Sequence, residues 1–550
     1  MNPIDALRAA VEEAAGAVAG DDAAPGGPDR KRSRPTLERP KQAGHGDYAT
    51  NAAMLLAPVA GAPPRKVAER LETELQERLG ASLARVEIAG PGFLNLVLAD
   101  AWFTDALAHI LDAGHGFGGG GASVIERIDV EFVSANPTGP LHVGHARNAA
   151  YGDTLARLLG FHGHDVVREF YVNDFGSQVV NLGRSIVARA RGEEVPEDGY
   201  QGDYVTELAA AIDGAAERPI DEVSRDGVAL MLDRTRASLA AFGVEMDVWF
   251  SERTLHEGEL TAVQRAFDVL GEQGRTYHHE GALWLRTTEF GDDKDRVLER
   301  SSGDHTYFAS DIAYHQHKRE RGFQRLLDVW GADHHGYVQR MKAAYAALGS
   351  DPDELELLIM QFVHLVNRGE RSSMSKRRGE FVTLDDLVEE VGVDAARWFL
   401  LARSHDTTVE FDLDLAREQT SENPVFYVQY AHARIASVLR KAGENTVAAA
   451  LAAPGAGRTL ALHESERALV KKLLAWPEEV AEAAARRAPH RVASFALELA
   501  QAFTAFYRDC QVVEAEGEGV EAYRLALSVA AQRTIARALD LLGVSAPVSM

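Results

Sequence analysis

One cysteine, Cys510, stands in 550 residues. That excludes a disulfide framework and any thiolate zinc site, and it predicts a reducing, cytoplasmic setting. No apolar run approaches the roughly 20 residues that cross a bilayer. The N-terminal stretch MNPIDALRAAVEEAAGAVAG carries acids and no basic segment ahead of an apolar one, so no secretory signal is expected. Positive charge is scarce too: 58 lysines and arginines face 83 acids, a net charge of −25. Such a surface repels polyanions. That argues against indiscriminate nucleic-acid binding but leaves room for an RNA partner gripped at local basic clusters such as residues 30–35 and 485–491, each of which taken alone reads more simply as solvated charge.

The length exceeds what one core can serve, and the composition shifts along the chain. Residues 1–112 read as a small α/β domain, with PPRKVAERLETELQERL leading into the strand–turn–strand pattern ARVEIAGPGFLNLVLAD. Residues 113–123, AGHGFGGGGAS, suit a flexible glycine linker. Over 124–415 apolar strand patterns alternate with helical ones, which predicts a Rossmann-type, doubly wound parallel sheet with an insertion at roughly 180–270. From 416 to 550 apolar residues recur at three and four, the pattern of a helical bundle. The fold class is therefore multidomain, α/β followed by all-α.

Two stretches carry chemistry. IDVEFV reads as a strand, SANPTGP as a turn, and LHVGHARNAAYGDTLARLLGF as a helix starting near Pro140, since proline suits a first helical position. His142 and His145 then share one face of the first turn, where unpaired N–H groups and the helix dipole favour an anion. Gly144 leaves room for a flat base against the backbone. A bare HxGH would suit plain packing equally well; between a strand and a helix it favours nucleotide chemistry, with two imidazoles donating to phosphate oxygens. The second stretch, ERSSMSKRRGEFVTLDDL, follows an apolar strand and precedes a helix capped by Thr383. There Lys376 can bring a mobile charge to the β- and γ-phosphates. Short histidine pairs in HHEG and DHHG lack further ligands, so no protein metal site is expected.

HVGH (142–145) and SMSKR (373–377) resemble the HIGH and KMSKS signatures of the class I aminoacyl-tRNA synthetases. Ser373 and Arg377 depart from the second signature, which keeps its central lysine. VEFVSANPTGPLHVGHARNAAYGD, REFYVNDFGSQ, TYFASDIAYHQHK, MSKRRGEFVTLDDL, ENPVFYVQYAHARI, LLGVSAPVSM and GHGDYATNAAM narrow the likeness to the arginyl-tRNA synthetases, over essentially the whole chain. The resemblance implies ATP-dependent formation of arginyl-adenylate, transfer to arginine tRNA, Mg²⁺ arriving with ATP, no structural zinc, no membrane and a monomer. It also implies that arginine is activated after tRNA binds. Its catalytic residues would be His142, His145 and Lys376. ATP contacts would add Pro140, Gly144, Asn148, Asp333, Met374 and Ser375. Arginine would meet Glu131, Ser134, Asn136, His145, Tyr307, Asp311, His334 and Gln339, and tRNA would meet Tyr48, Phe93, Asn95, Tyr427, Tyr430, Arg434 and Arg508, with Phe506 beside the last.

Charge chemistry agrees with arginine independently. A guanidinium is planar and permanently charged, and a carboxylate holds it best in a forked pair. Tyr307 and Asp311 stand at i and i+4, on one side of a helix. Three other readings compete: another class I synthetase, a small-molecule nucleotidylyltransferase, and a non-catalytic RNA-binding relative. The cysteinyl type cannot build its zinc thiolates from Cys510 alone, and a glutamyl enzyme would want a basic residue where Asp311 stands. The nucleotidylyltransferase would leave the helical tail and N-terminal domain without purpose.

Overall fold

The computed structural model describes residues 2–19, 35–40, 44–371, 382–452 and 460–550. Met374, Ser375 and Lys376, and most of the basic cluster at 30–35, lie outside the described residues. In the N-terminal part come α1 (Pro3–Ala19), β1 (Tyr48–Thr50), α2 (Ala52–Ala60), α3 (Pro64–Leu79), β2 (Leu83–Ala89), β3 (Phe93–Leu98) and α4 (Asp100–Ala113). The strands form an antiparallel sheet ordered β1-β3-β2. Leu94, Leu96 and Leu98 alternate into the core. Asn95, on the other face of that central strand, is buried as well, between Ala49 and Glu87 in register. Tyr48 is also core, edge-on to Trp102 at 6.1 Å between ring centroids. Of the three tRNA contacts expected in this domain, Phe93 alone is exposed.

The glycine run after α4 is packed, contrary to the flexible linker its composition suggests. Gly120 and Ala122 donate to the carbonyls of Phe161 and His162, and the Trp476 indole N–H donates to the Phe117 carbonyl (3.1 Å). A Cβ at Gly118, whose φ is +91°, would lie 2.3 Å from the Trp476 ring. Close approach, and not freedom, is what these glycines provide. Gly118→Ala is expected to cost about 1–3 kcal/mol by overpacking, plus backbone strain, and thermal unfolding of the variant would show it.

The catalytic part holds β4 (Arg127–Glu131), α5 (Val143–His162), β5 (Asp165–Val172), α6 (Ser177–Arg191), α7 (Asp203–Ala211), α8 (Ile220–Ala241) and β6 (Val248–Ser251). It continues through α9 (Ala262–Glu272), β7 (Thr276–His279), β8 (Ala282–Leu285), β9 (Arg296–Glu299), α10 (Tyr307–Glu320), β10 (Arg325–Gly331), α11 (Val338–Ala347) and β11 (Leu355–Met360). Five strands make a parallel sheet ordered β11-β10-β4-β5-β6. The chain runs outward from β4 to β6, then returns to β10 on the other side of β4. The switch point between β4 and β10 is where such sheets bind ligands, beyond the carboxyl ends of the strands.

The expected single insertion at roughly 180–270 is two, because core strand β6 lies inside that range. Helices α6, α7 and α8 form one, with their own apolar core around Leu182, Ile186, Val205, Leu208 and Met231. The antiparallel β7-β8-β9 sheet and α9 belong to the second, which packs on α10 and α11. Strand β6 is four residues long, too short for its alternation to stand out between helices.

Beyond β11 come β12 (Val363–Asn367), β13 (Glu370–Arg371), α12 (Leu384–Leu401), β14 (Val409–Asp412) and α13 (Leu413–Arg417). The remainder is helical: α14 (Pro424–Ala442), α15 (Glu444–Ala452), α16 (Glu464–Leu473), α17 (Trp476–Ala485), α18 (His490–Asp509) and α19 (Val520–Leu542). Lys471–Asp47 (2.9 Å) and Arg467–Asp100 (2.6 Å) ion pairs tie this bundle to the N-terminal domain. No helix among the described residues is long and apolar enough to cross a membrane.

Candidate active site

Strand β4 ends in a sharp turn in which Val133 and Ser134 adopt φ of 69° and 39°, unusual for residues with side chains. Neighbours impose that geometry. The Val133 N–H donates to Asn148 Oδ1 (2.7 Å), and Asn148 Nδ2 donates to the Val329 carbonyl on β10 (2.9 Å). Asn148 therefore bridges the switch point with both ends of its amide, where it was expected to touch ATP. Ser134 Oγ donates to Glu131 Oε1 (2.8 Å) and accepts from the Tyr171 N–H (3.1 Å), which places it in the turn's framework.

Helix α5 starts at Val143, three residues later than Pro140 suggests, and its cap is His142. His142 Nδ1 accepts from the Gly144 N–H (3.0 Å), while the His142 N–H donates to His145 Nδ1 (3.3 Å). The rings stack at 3.7 Å. A Cβ on Gly144 would sit 2.8 Å from His142 Cε1, so this glycine makes room for the capping imidazole itself. Because each Nδ1 accepts, both rings carry their proton on Nε2 and are donors in the neutral form. Burial lowers the His142 pKa, and burial plus the neighbouring His142 drive His145 down to about 3. Pro140 is exposed two residues ahead of the cap.

Leu384 N–H donates to the Leu141 carbonyl (2.8 Å) and Val143 N–H to the Val382 carbonyl (3.2 Å). The segment that follows the Lys376 stretch is thus pinned directly against the histidine turn.

An acidic pocket is assembled from the ends of three further strands. Asp311, on the first turns of α10, accepts from the Tyr337 hydroxyl at Oδ2 (2.5 Å). Burial, reinforced by Glu252 and Glu131, pushes its carboxyl up to about 6 even though that hydrogen bond opposes the shift. Glu252 is buried just past β6, in a turn fixed by Asp174, which accepts from the Ser251 hydroxyl (2.7 Å) and the Arg253 N–H (3.2 Å). Asn173, past the end of β5, donates from its amide to Glu252 Oε2 (2.7 Å), and its carbonyl faces the Asn136 side-chain amide (3.1 Å).

Glu131 is buried but already partnered, by Lys318 Nζ (2.6 Å). Lys318 also meets Asp129 (3.0 Å) and Asp328 (2.9 Å), and His315 bonds Asp328 Oδ2 (2.8 Å) beside it. A layer of buried charge therefore underlies Asp311. Glu131 belongs to that layer and anchors the turn through Ser134. Among the described residues, Asp311 and Glu252 are the carboxylates of the pocket without a lysine or arginine within ion-pair distance.

The other expected arginine contacts divide. Tyr307 opens α10, 64% exposed, on the same side as Asp311. His334 and Asp333 are exposed and paired loosely with each other (3.5 Å). Gln339 donates to the Gly291 carbonyl in the second insertion (3.2 Å), so its amide serves that contact. Glu252, Asn173 and Tyr337 are additions the motif reading missed. All three follow the carboxyl ends of sheet strands.

Comparison with known proteins accounts for this arrangement. The model described as the tRNA synthetases class I (R) catalytic domain matches residues 119–195 and 219–437. An arginine–tRNA ligase of Geobacillus kaustophilus is 47% identical over 533 residues, 94% of either chain. The chain belongs to the arginyl-tRNA synthetase family. It is a class I aminoacyl-tRNA synthetase, and the arginyl tRNA synthetase N terminal domain and DALR anticodon binding domain match residues 4–98 and 428–550. The arginine–tRNA ligase of Bacillus subtilis is 45% identical over 530 residues, again 94% of each chain. The solved Thermus thermophilus arginyl-tRNA synthetase superposes with a TM-score of 0.76 at 26% identity, covering 99% of this chain and all of that one.

On the bundle of this arginyl-tRNA synthetase, Tyr430 stacks parallel to Phe426 (6.1 Å) and the Arg434 guanidinium lies over it (4.7 Å). Arg434 also reaches Tyr507 (5.4 Å), and both tyrosines are exposed. Tyr427 packs partly into the core, and Arg508 pairs with Asp509 (2.8 Å) on the surface. Phe506 is wholly buried; one helical step rotates Tyr507 out in its place.

Proposed function

We infer that this chain activates arginine with ATP and transfers it to the terminal adenosine of arginine tRNA. The observation that carries the reading is the half-buried acid of Asp311 at the switch-point crevice, which among the described residues has no lysine or arginine partner, in a chain that matches arginine–tRNA ligases along 94% of its length. A pocket that must hold a lone carboxylate near a second acid is costly unless a cation completes it. The guanidinium supplies that cation, and Tyr307 flanks it. Asn136, whose side chain lies beside Asn173, orients the α-amino and carboxyl end.

The arginine carboxylate attacks the α-phosphate and pyrophosphate leaves; no side-chain nucleophile takes part. The neutral Nε2–H donors of His142 and His145 bind phosphate oxygens whose charge grows as the bond to phosphorus forms. Lys376 follows the departing pyrophosphate. When bound with ATP, Mg²⁺ would supply charge neutralisation on the phosphates.

The deciding experiment is aminoacylation with each amino acid in turn, with and without tRNA. Arginine alone is expected to charge, and pyrophosphate exchange is expected to need tRNA. Charging of a different amino acid, or none, would overturn the reading. Since one chain supplies every group named, a monomer suffices, and the single cysteine suits the cytoplasm.

Tyr430 and Arg434 offer a ring and a guanidinium on which an unstacked anticodon base can lie. A stacked base contributes about 1–3 kcal/mol, so Tyr430→Ala should raise the KM for tRNA roughly 5- to 150-fold. The KM for ATP should not move; parallel titrations of both substrates check this.

A further inference from the structure

Tyr337 lies in a short turn after β10, outside the residues expected to touch substrate, yet its hydroxyl makes the shortest contact of the acidic pocket, 2.5 Å to Asp311 Oδ2. Its ring is held edge-on by Phe308 (6.0 Å) and covered by the Arg340 guanidinium (4.8 Å), so the hydroxyl cannot swing away without unpacking both. Burial and the adjacent Asp311 charge raise the phenol's pKa, so Tyr337 stays protonated and remains a donor. A carboxylate oxygen has two acceptor sites, so Oδ2 can serve Tyr337 and a guanidinium together.

We propose that Tyr337 is a positioning residue for arginine recognition: its hydroxyl holds the Asp311 carboxyl as an oriented anion ready for the guanidinium. The proposal rests on the reading that Asp311 receives arginine. The surroundings make such a donor necessary. Glu252 from the turn after β6 and Glu131 from β4 both disfavour a charge on Asp311, as does burial. Tyr171 on β5 is neutral, since burial, then Glu252 and Asp311, raise its pKa. On α10 itself, His315 favours the Asp311 charge from one turn away, but its ring is committed to the Asp311 backbone carbonyl (2.7 Å) and to Asp328. Among the described residues, Tyr337 is the group that hydrogen-bonds the carboxyl directly.

Without that bond the carboxyl would take up a proton at a higher pH, and arginine would meet a neutral acid. Tyr337→Phe removes one oxygen and keeps the packing. The KM for arginine, measured by aminoacylation from pH 6 to 9, is expected to rise about 2- to 10-fold at pH 7. It should converge on the wild-type value above pH 8.5, where both carboxyls are ionised. The KM for ATP should stay level throughout. A merely structural role would raise the arginine KM equally at every pH, and that parallel profile would overturn the proposal, as would an unchanged KM at pH 7. If the wild-type protein itself fails to charge arginine, the underlying reading falls instead. Thermal unfolding of the variant beside the wild type checks that its fold is intact.

Discussion

Asp311→Asn is expected to cut kcat/KM for arginine by roughly 30- to 4000-fold while making the ligand-free protein more resistant to heat. Both effects come from the same half-buried carboxyl. Removing one partner of a desolvated charge pair costs about 2–5 kcal/mol in binding, which at 1.4 kcal/mol per decade gives that range. An asparagine keeps the volume and can still accept from Tyr337. It cannot neutralise a guanidinium, so the loss should appear in arginine and not in ATP.

Stability moves the other way. The Asp311 carboxyl titrates near 6 in the fold, against about 3.9 in an unfolded chain. The folded state therefore binds the proton more tightly, and ionising this group destabilises the fold. That penalty is absent below pH 3.9, grows between 3.9 and 6, and is complete above 6, where it reaches ~3 kcal/mol at most. The variant should thus unfold at a higher temperature than the wild type at pH 7.5, and the gap should be about half as large at pH 5. Calorimetry at the two pH values checks both statements. A wild-type-like arginine kcat/KM in the variant would remove Asp311 from the pocket's purpose.

How much of this was legible beforehand depended on whether a signal was local. The alternation of strand and helix patterns announced the parallel sheet, and two histidines between a strand and a helix pointed to nucleotide chemistry there. Asp311 was visible through the resemblance to the arginyl-tRNA synthetases, and its spacing of four from Tyr307 on one helix agreed with it. Glu252 and Tyr337 had no such neighbour: each stands alone after a different strand, and only the sheet's order brings those strand ends together. Their sole signal in the sequence is the position itself, just past VWFS and RLLDVWG, where open α/β sheets present functional groups. The errors have local causes as well. Pro140 is a good opening residue for a helix, but the cap went to an imidazole, which propensities do not anticipate for that place. Asn95 follows the alternation of its strand correctly, yet the strand is central and both its faces are covered. Glycine-rich composition suggested slack in residues 113–123 because composition cannot show that an indole ring lies 2.3 Å from a missing Cβ.

His145→Ala should slow adenylate formation about 100- to 1000-fold, the range for losing one preorganised donor to a developing oxyanion. On the proposed mechanism, the property of the imidazole that matters is its neutral N–H. With its pKa driven down to about 3, His145 is neutral in the free enzyme at any working pH. The profile of kcat/KM for ATP, which reports the free enzyme, should accordingly show no limb between pH 5.5 and 8 that disappears on replacing His145. Were positive charge the useful feature, a neutral amide would be no better than a methyl group. Since the useful feature is a neutral N–H on a side chain one turn into α5, His145→Asn should recover a substantial part of what alanine loses. Pyrophosphate exchange by the three proteins, in the presence of tRNA, separates the cases. Alanine and asparagine variants of equal rate would mean that the imidazole acts as a cation or as packing, and the neutral-donor mechanism would fail.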